Sequence, residues 1–173
     1  MKLQIVNKSN NPLPKYQTEG AVGMDICAYT EHDIIVPNNK HSLIPTGLYI
    51  SIPKGYEAQI RPRSGLALNL GLTILNTPGT IDSDYRGEIQ VILYNTTNTN
   101  YTVCSGDRIA QLVISPIQKV ELEEVQELDE TERGENGFGS TGINDEADVN
   151  TIELLDLYED DIPINYVEEQ ENF

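Results

Sequence analysis

The chain of 173 residues has no tryptophan, two phenylalanines and two cysteines. A lone pair of cysteines, Cys27 and Cys104, cannot build a disulfide framework. With no ligand-spaced partners they are expected to be buried structural thiols, neither metal ligands nor nucleophiles. Basic residues are scarce too. Eleven Lys and Arg stand against 28 Asp and Glu, for a formal net charge of −17. That excludes the broad basic face that captures nucleic acid or an anionic membrane. It does not exclude a small anion held by a few placed arginines. No run approaches the ~20 apolar residues of a membrane span. Met1–Gly20 is polar and contains prolines, unlike the apolar stretch of a signal peptide. A soluble, cytoplasmic, reduced protein is expected. The two histidines, His32 and His41, lie beside turn residues and are expected at the surface.

The charge is unevenly spread. Residues 143–173 carry 11 acids and no base, which leaves 17 acids against 11 bases, a net of −6, in residues 1–142. A boundary near Gly142 is expected, with an acidic tail that is flexible or peripherally docked. The tail also holds an apolar cluster: Ile152, Leu154, Leu155, Leu157 and Tyr158, then Ile162, Ile164, Tyr166 and Val167. A purely solubilising tail needs no such cluster, so docking on its own assembly or on a protein partner is expected.

The body reads as β. Short runs rich in Ile, Val, Leu, Thr and Tyr recur at Leu3–Val6, Ile34–Val36, Ser42–Ile52, Tyr56–Ile60, Leu72–Leu75, Glu88–Tyr94, Tyr101–Cys104 and Ile109–Ile114. Asn38-Asn39, Pro53-Lys54-Gly55, Pro78-Gly79 and Ser105-Gly106 mark turns between them. Only Ser64–Leu70 suits a helical turn or two. Many short strands at close spacing predict a sandwich or a jelly-roll-like barrel.

Five short segments could carry chemistry. In the first, Ala21–Ala28, Asp25 is flanked by apolar residues, and a carboxylate there needs a cation or donors. In the second, Arg61-Pro-Arg63-Ser64-Gly65, two guanidinium forks, a hydroxyl and free N–H groups could cradle an anion or simply form a surface turn. The third, Asn76–Glu88, sits between two strand-like runs and reads as a long hairpin. Its mouth could read a planar heterocycle, while Asp82 and Asp84 could act as an acid–base pair or merely satisfy turn amides. In the fourth, Gly106–Leu112, Gln111 is polar among apolar neighbours and needs a partner. The fifth, Arg133–Gly142, holds four glycines, Arg133, Phe138 and a Ser140-Thr141 pair. It suits phosphate oxygens and a stacked base, or a flexible linker.

In this order and spacing the five segments resemble the five motifs of the trimeric deoxyuridine triphosphatase (dUTPase, dUTP diphosphatase) family, over about Leu3 to Gly142. The resemblance implies an all-β jelly-roll-like barrel, a homotrimer, and active sites shared between subunits. Residues 1–142 would form the dUTPase domain. Within it, residues 120–142 would be an arm with a C-terminal lid motif that reaches a neighbouring subunit. Val120, Leu122, Val125 and Leu128 would be its docking points.

The implied reaction converts dUTP and water to dUMP and pyrophosphate, lowering dUTP and supplying dUMP for thymidylate synthesis. Mg²⁺ would sit mainly on the phosphates. Asp25 and Gln111 would hold it indirectly, through water. Asp82 would be the general base for attack on the α-phosphorus. The Tyr85 ring would pack on the deoxyribose and leave no room for a 2′-hydroxyl. Asn76, with backbone groups of Thr80 and Ile81, would read uracil, and Gln90 would add a backbone contact. Arg63, Ser64 and Gly65 would bind phosphate. Arg133, Phe138, Gly139, Ser140 and Thr141 would close as a lid. The long acidic tail departs from the family pattern. Pro78 departs too, in the uracil hairpin. Two rival readings are a related dCTP deaminase, which shares the fold but needs a different acid–base residue after the phosphate turn, and a dUTP-responsive trimer that binds a protein through its tail.

Overall fold

The computed structural model describes residues 1–138. The chain divides into two units, Met1–Glu121 and Leu122–Phe173.

The first unit is built almost wholly of strands. In chain order they are β1 (Gln4–Asn7), β2 (Met24–Cys27), β3 (Ile34–Val36), β4 (His41–Pro45), β5 (Leu48–Ser51), β6 (Tyr56–Arg61), β7 (Leu72–Ile74), β8 (Gly79–Ile81), β9 (Gln90–Asn95), β10 (Tyr101–Val103) and β11 (Arg108–Pro116). The one helix, α1, spans Ser64–Leu70 between β6 and β7. Gly71 stops it in a left-handed turn at φ 60°, where its N–H donates to the Leu66 carbonyl.

A four-stranded sheet runs β2-β11-β6-β8 and a three-stranded sheet runs β4-β9-β7. Two short pairs, β1-β5 and β3-β10, complete the set. All pairings are antiparallel. Strand faces follow the alternation in sequence. Along β9, Val91 and Leu93 point into the core and Gln90 faces out. The inner residues of both sheets meet in one apolar cluster. Ile26, Ile60 and Leu112 come from the larger sheet, and Ile44, Leu72, Ile74, Val91 and Leu93 from the smaller. This is the all-β jelly-roll fold.

Some expectations need correction. Ser42–Ile52 reads as one strand in sequence, yet it is two, β4 and β5, broken at Thr46-Gly47 where Gly47 takes φ 70°. The thiols are not buried. Cys27 is half-buried and Cys104 is exposed, because the face of β2 opposite Ile26 is not covered within this chain and Cys104 lies in a turn. His32 and His41 are exposed, as expected. Among the described residues no helix is long and apolar enough to cross a membrane.

In the second unit, the described residues 122–138 contain no helix or strand. Its apolar side chains stand in solvent, Leu122 and Leu128 among them.

Candidate functional site

β7 and β9 pair antiparallel, so residues 75–89 form the mouth of a hairpin. Within that mouth β8 crosses to the other sheet and pairs with β6. The crossing brings Gly79 close against β6. A Cβ added there would meet Ile60 Cβ and the Asn76 amide nitrogen, each at 3.3 Å. The glycine therefore lets the Asn76 side chain lie against the strand. The Thr77–Pro78 peptide is cis.

After β8 the chain turns sharply. The Tyr85 N–H donates to the Asp82 carbonyl at 3.1 Å, and Arg86 Nη1 donates to the carbonyls of Ser83 and Tyr85. Asp82 and Asp84 both lie in this turn. Asp82 stands exposed, and no hydrogen bond engages its carboxylate among the described residues. The Tyr85 hydroxyl donates to the Glu88 carbonyl at 3.0 Å.

The hairpin mouth encloses a cavity of about 280 Å³. Asn76, Thr80, Ile81, Asp82, Tyr85 and Gln90 all line it, closed by Leu43, Glu88, Ile89 and Ile92. Six residues singled out in the sequence thus share one small, half-polar pocket. Arg63, Ser64, Gly65, Asp25 and Gln111 do not line it.

Asp25, Gln111 and Arg63 belong to a second cluster, on the outer face of the larger sheet, and Ser64 and Gly65 follow Arg63 in the chain. Asp25 on β2 is the cross-strand partner of Gln111 on β11, which in turn faces Arg61 on β6. Directly opposed residues project to the same side, so the three form one row. Arg108 joins them through a β-bulge. The ladder slips between Arg108 and Ala110, so Ile109 is the extra residue. Without the slip, positions three apart on a strand would face opposite ways. With it, Arg108 and Gln111 share a face while Ile109 stays in the core.

Asp25 is the centre of this cluster. Its side chain is 11% exposed and accepts Arg63 Nε at 3.0 Å and Arg108 Nη1 at 3.5 Å. Arg63 Nη1 donates to the Arg108 carbonyl at 2.8 Å, which leaves Nη2 for another anion. The Gln111 side chain packs against Gly23, where an added Cβ would lie 3.2 Å from Oε1. Cys27 lies in the same neighbourhood. Burial raises its pKa, Arg108 and Arg63 oppose the rise, and Asp25 and Asp107 add to it. Ser64 and Gly65 open α1, and a Cβ added at Gly65 would meet nothing within 4 Å in this chain.

Among the described residues no group of three or more His, Cys, Asp or Glu could hold a metal by itself. One carboxylate beside an amide suits an ion gripped through its water shell, as Mg²⁺ commonly is.

In the second unit Arg133 begins a turn. Its Nε donates to the Asn136 carbonyl at 2.9 Å, and Phe138 is fully exposed. Gly139, Ser140, Thr141 and the expected acidic tail lie outside the described residues.

Sequence reading passed over two residues of these clusters. Arg108 was visible as a base in the Gln111 segment, but its facing depends on the bulge. Glu88 gave no signal, because its partners lie far upstream.

Comparison with known proteins addresses the chain as a whole. The dUTPase family model matches residues 9–142. A curated relative, the deoxyuridine 5′-triphosphate nucleotidohydrolase of Finegoldia magna, is 57% identical over 142 residues, covering 82% of this chain and 99% of the relative. The protein of the same name from Cytophaga hutchinsonii is 54% identical over 81% of this chain and 91% of its own. Among solved structures, the dUTPase of Staphylococcus bacteriophage 80alpha with dUPNHPP superposes with a TM-score of 0.74 at 29% identity, covering 82% of this chain and 99% of the other. A mutant dUTPase from phage phi11 of S. aureus, described with a structural Mg(II) ion, gives 0.66 at 25% identity over 75% of this chain and all of that one. With a family model spanning most of its length and relatives more than half identical across four-fifths of it, the chain belongs to the dUTPase family.

Proposed function

We propose that the protein hydrolyses dUTP to dUMP and pyrophosphate. One observation carries this reading: Asn76, Thr80, Ile81, Asp82, Tyr85 and Gln90 line a single small cavity. In it, the Asn76 amide and the backbone of Thr80 and Ile81 pair with the edge of uracil. Cytosine presents a reversed donor–acceptor edge, which would leave buried groups unpaired, a strong basis for rejection. The Tyr85 ring packs on the sugar and excludes a 2′-hydroxyl. The Asp82 carboxylate holds and orients a water and takes its proton as the water attacks the α-phosphorus. Its exposed position at the cavity wall supports that role.

The phosphates lie against the second cluster. Arg63 Nη2, the Ser64 hydroxyl and the Gly65 N–H bind their oxygens. Asp25 and Gln111 would hold a metal through its waters. Mg²⁺, when bound with the triphosphate, spreads the charge that builds on its oxygens.

The nucleoside cavity has none of the phosphate-side residues on its walls. That supports a site completed by other copies of the chain, in a homotrimer of the kind the family forms. The exposed arm supports it too. Val120, Leu122, Val125 and Leu128 are unpacked, while β1 pairs only with β5 among the described strands and exposes Val6. On this reading, the arm from one subunit carries Arg133, Phe138, Gly139, Ser140 and Thr141 to close over the substrate of another. An acidic tail beyond Gly142 remains a candidate contact for a protein partner, and the cytoplasm a fitting location.

The test is pyrophosphate release from dUTP, dTTP, dCTP, dATP, dGTP and UTP, with and without Mg²⁺. Release from dUTP alone, and only with the metal, is expected. Ammonia release from dCTP would instead assign a deaminase.

A further inference from the structure

We propose that Glu88 is a positioning residue for the Tyr85 ring, and thereby sets discrimination between deoxyribose and ribose. The proposal rests on the reading that Tyr85 packs against the sugar.

Glu88 is fastened at both ends. Its carboxylate Oε1 accepts the Gly47 N–H at 2.8 Å and the Thr46 N–H at 3.2 Å. Its backbone carbonyl accepts the Tyr85 hydroxyl at 3.0 Å. The acceptor is needed where it stands. Thr46-Gly47 is the break between β4 and β5, so neither amide has a ladder partner there. Thr46 is 1% exposed, and donors left unpaired at such depth are costly. Neighbouring bonds knit the same corner. Thr46 Oγ1 donates to the Ile89 carbonyl at 2.6 Å, and the Ile89 N–H donates to the Leu48 carbonyl at 2.8 Å.

The ring follows this anchor. Tyr85 lies directly over the Gly87 backbone, so closely that a Cβ at Gly87 would collide with the phenol. Its hydroxyl then bonds to the next residue's carbonyl. Ring position is therefore dictated by the backbone at positions 87 and 88. Arg86 also braces the loop, but its partners are Ser83 and Tyr85, which move with it. The Glu88 carboxylate instead ties the loop to residues 41 and 42 positions away. It is a long-range side-chain tie between the residue that accepts the Tyr85 hydroxyl and the core, beside the backbone bond of Ile89 to Leu48.

The test measures kcat/KM for dUTP and for UTP in the full-length protein. The readout is their ratio, because any loss of folded protein reduces both equally and cancels. Glu88→Ala should lower the ratio about tenfold, since small misplacements of a positioning group carry penalties of that order. Glu88→Gln keeps an acceptor at Oε1 and should restore the ratio to within about threefold of wild type. An unchanged ratio in Glu88→Ala overturns the proposal. So does a Glu88→Gln ratio as low as that of Glu88→Ala. Glu88→Asp, one methylene shorter, carries the same expectation and the same refutation if the alanine variant does not fold. Tyr85→Ala separates the two levels. If it keeps the wild-type ratio, the reading of Tyr85 itself is wrong. If it loses the ratio while Glu88→Ala keeps it, only the role of Glu88 falls.

Discussion

Asp25 Oδ1 accepts Arg63 Nε at 3.0 Å, so the guanidinium that follows β6 is oriented from β2, across the intervening strand β11. Asp25 also takes Arg108, and two cations on one carboxylate leave a local excess of positive charge in a very acidic chain. Asp25→Asn should therefore act on both substrate and metal. The arginines lose their common counter-ion and the metal waters lose a charged acceptor. We expect kcat to drop by about tenfold or more and the Mg²⁺ dependence to move to higher concentration. A magnesium titration of initial rates measures both. A wild-type profile would remove Asp25 from the site.

Asp82→Asn keeps the shape of the side chain but cannot take a proton. Turnover should fall by roughly 10²–10⁴-fold, the usual worth of a general base, while dUTP binding persists. Equilibrium binding of a non-hydrolysable dUTP analogue, beside steady-state rates, tests the split. Near-normal turnover would mean that the water is activated by another group.

A lid that works between subunits can be complemented. One chain would carry Asp82→Asn with an intact arm, and the other an intact Asp82 truncated after Val120. Each alone should be inactive, and hybrids formed by mixing should regain part of the activity. If the truncated chain still assembles, as judged by mass measurement in solution, and the hybrids remain dead, the lid acts within its own chain.

Cys104 provides a pH signature. Asp33 is the main influence pushing its pKa up, and residual burial and the charge of Asp107 add to the rise. A raised pKa means less thiolate at any pH below it, so alkylation should be slow at neutral pH and climb late. In a Cys27→Ser background, Asp33→Asn should speed iodoacetamide labelling at pH 8 by roughly two- to fivefold. An unaltered rate would show that Asp33 does not govern the thiol.

Much of this was legible in the chain. The Ser64–Leu70 helix and the alternation along β9 are local patterns, readable from neighbouring residues. So is the order of the five segments, which already gathers the hairpin residues in one stretch of chain. What escaped depends on distant partners. β8 is three residues, Gly79–Ile81, and becomes a strand only by pairing with β6. The interruption between β4 and β5 has a local cue in Pro45-Thr46-Gly47, which the strand-like residues on either side mask. What the neighbouring residues do not show is its partner: Glu88, more than forty residues on, accepts the amides released there. The bulge at Ile109 is likewise a property of the β2–β11 pair. It turns a three-residue spacing that looks wrong for one face into a shared one.

The corner at Thr46-Gly47 also has a bearing on how the protein folds. It is a meeting point of four stretches. The Lys8 N–H donates to Gly47, the Tyr29 N–H to Pro45, Gly47 to Glu88, and Ile89 to Leu48. None of these contacts is local, and the Glu88 links span 41 and 42 residues. Loop closure over such distances costs entropy before any contact repays it, and nonlocal topologies fold slowly for that reason. The corner is therefore expected to close after the sheets on either side have largely formed. The Tyr85 loop that leans on it should thus mature late. In a refolding experiment, strand signal should recover ahead of the ability to tell dUTP from UTP.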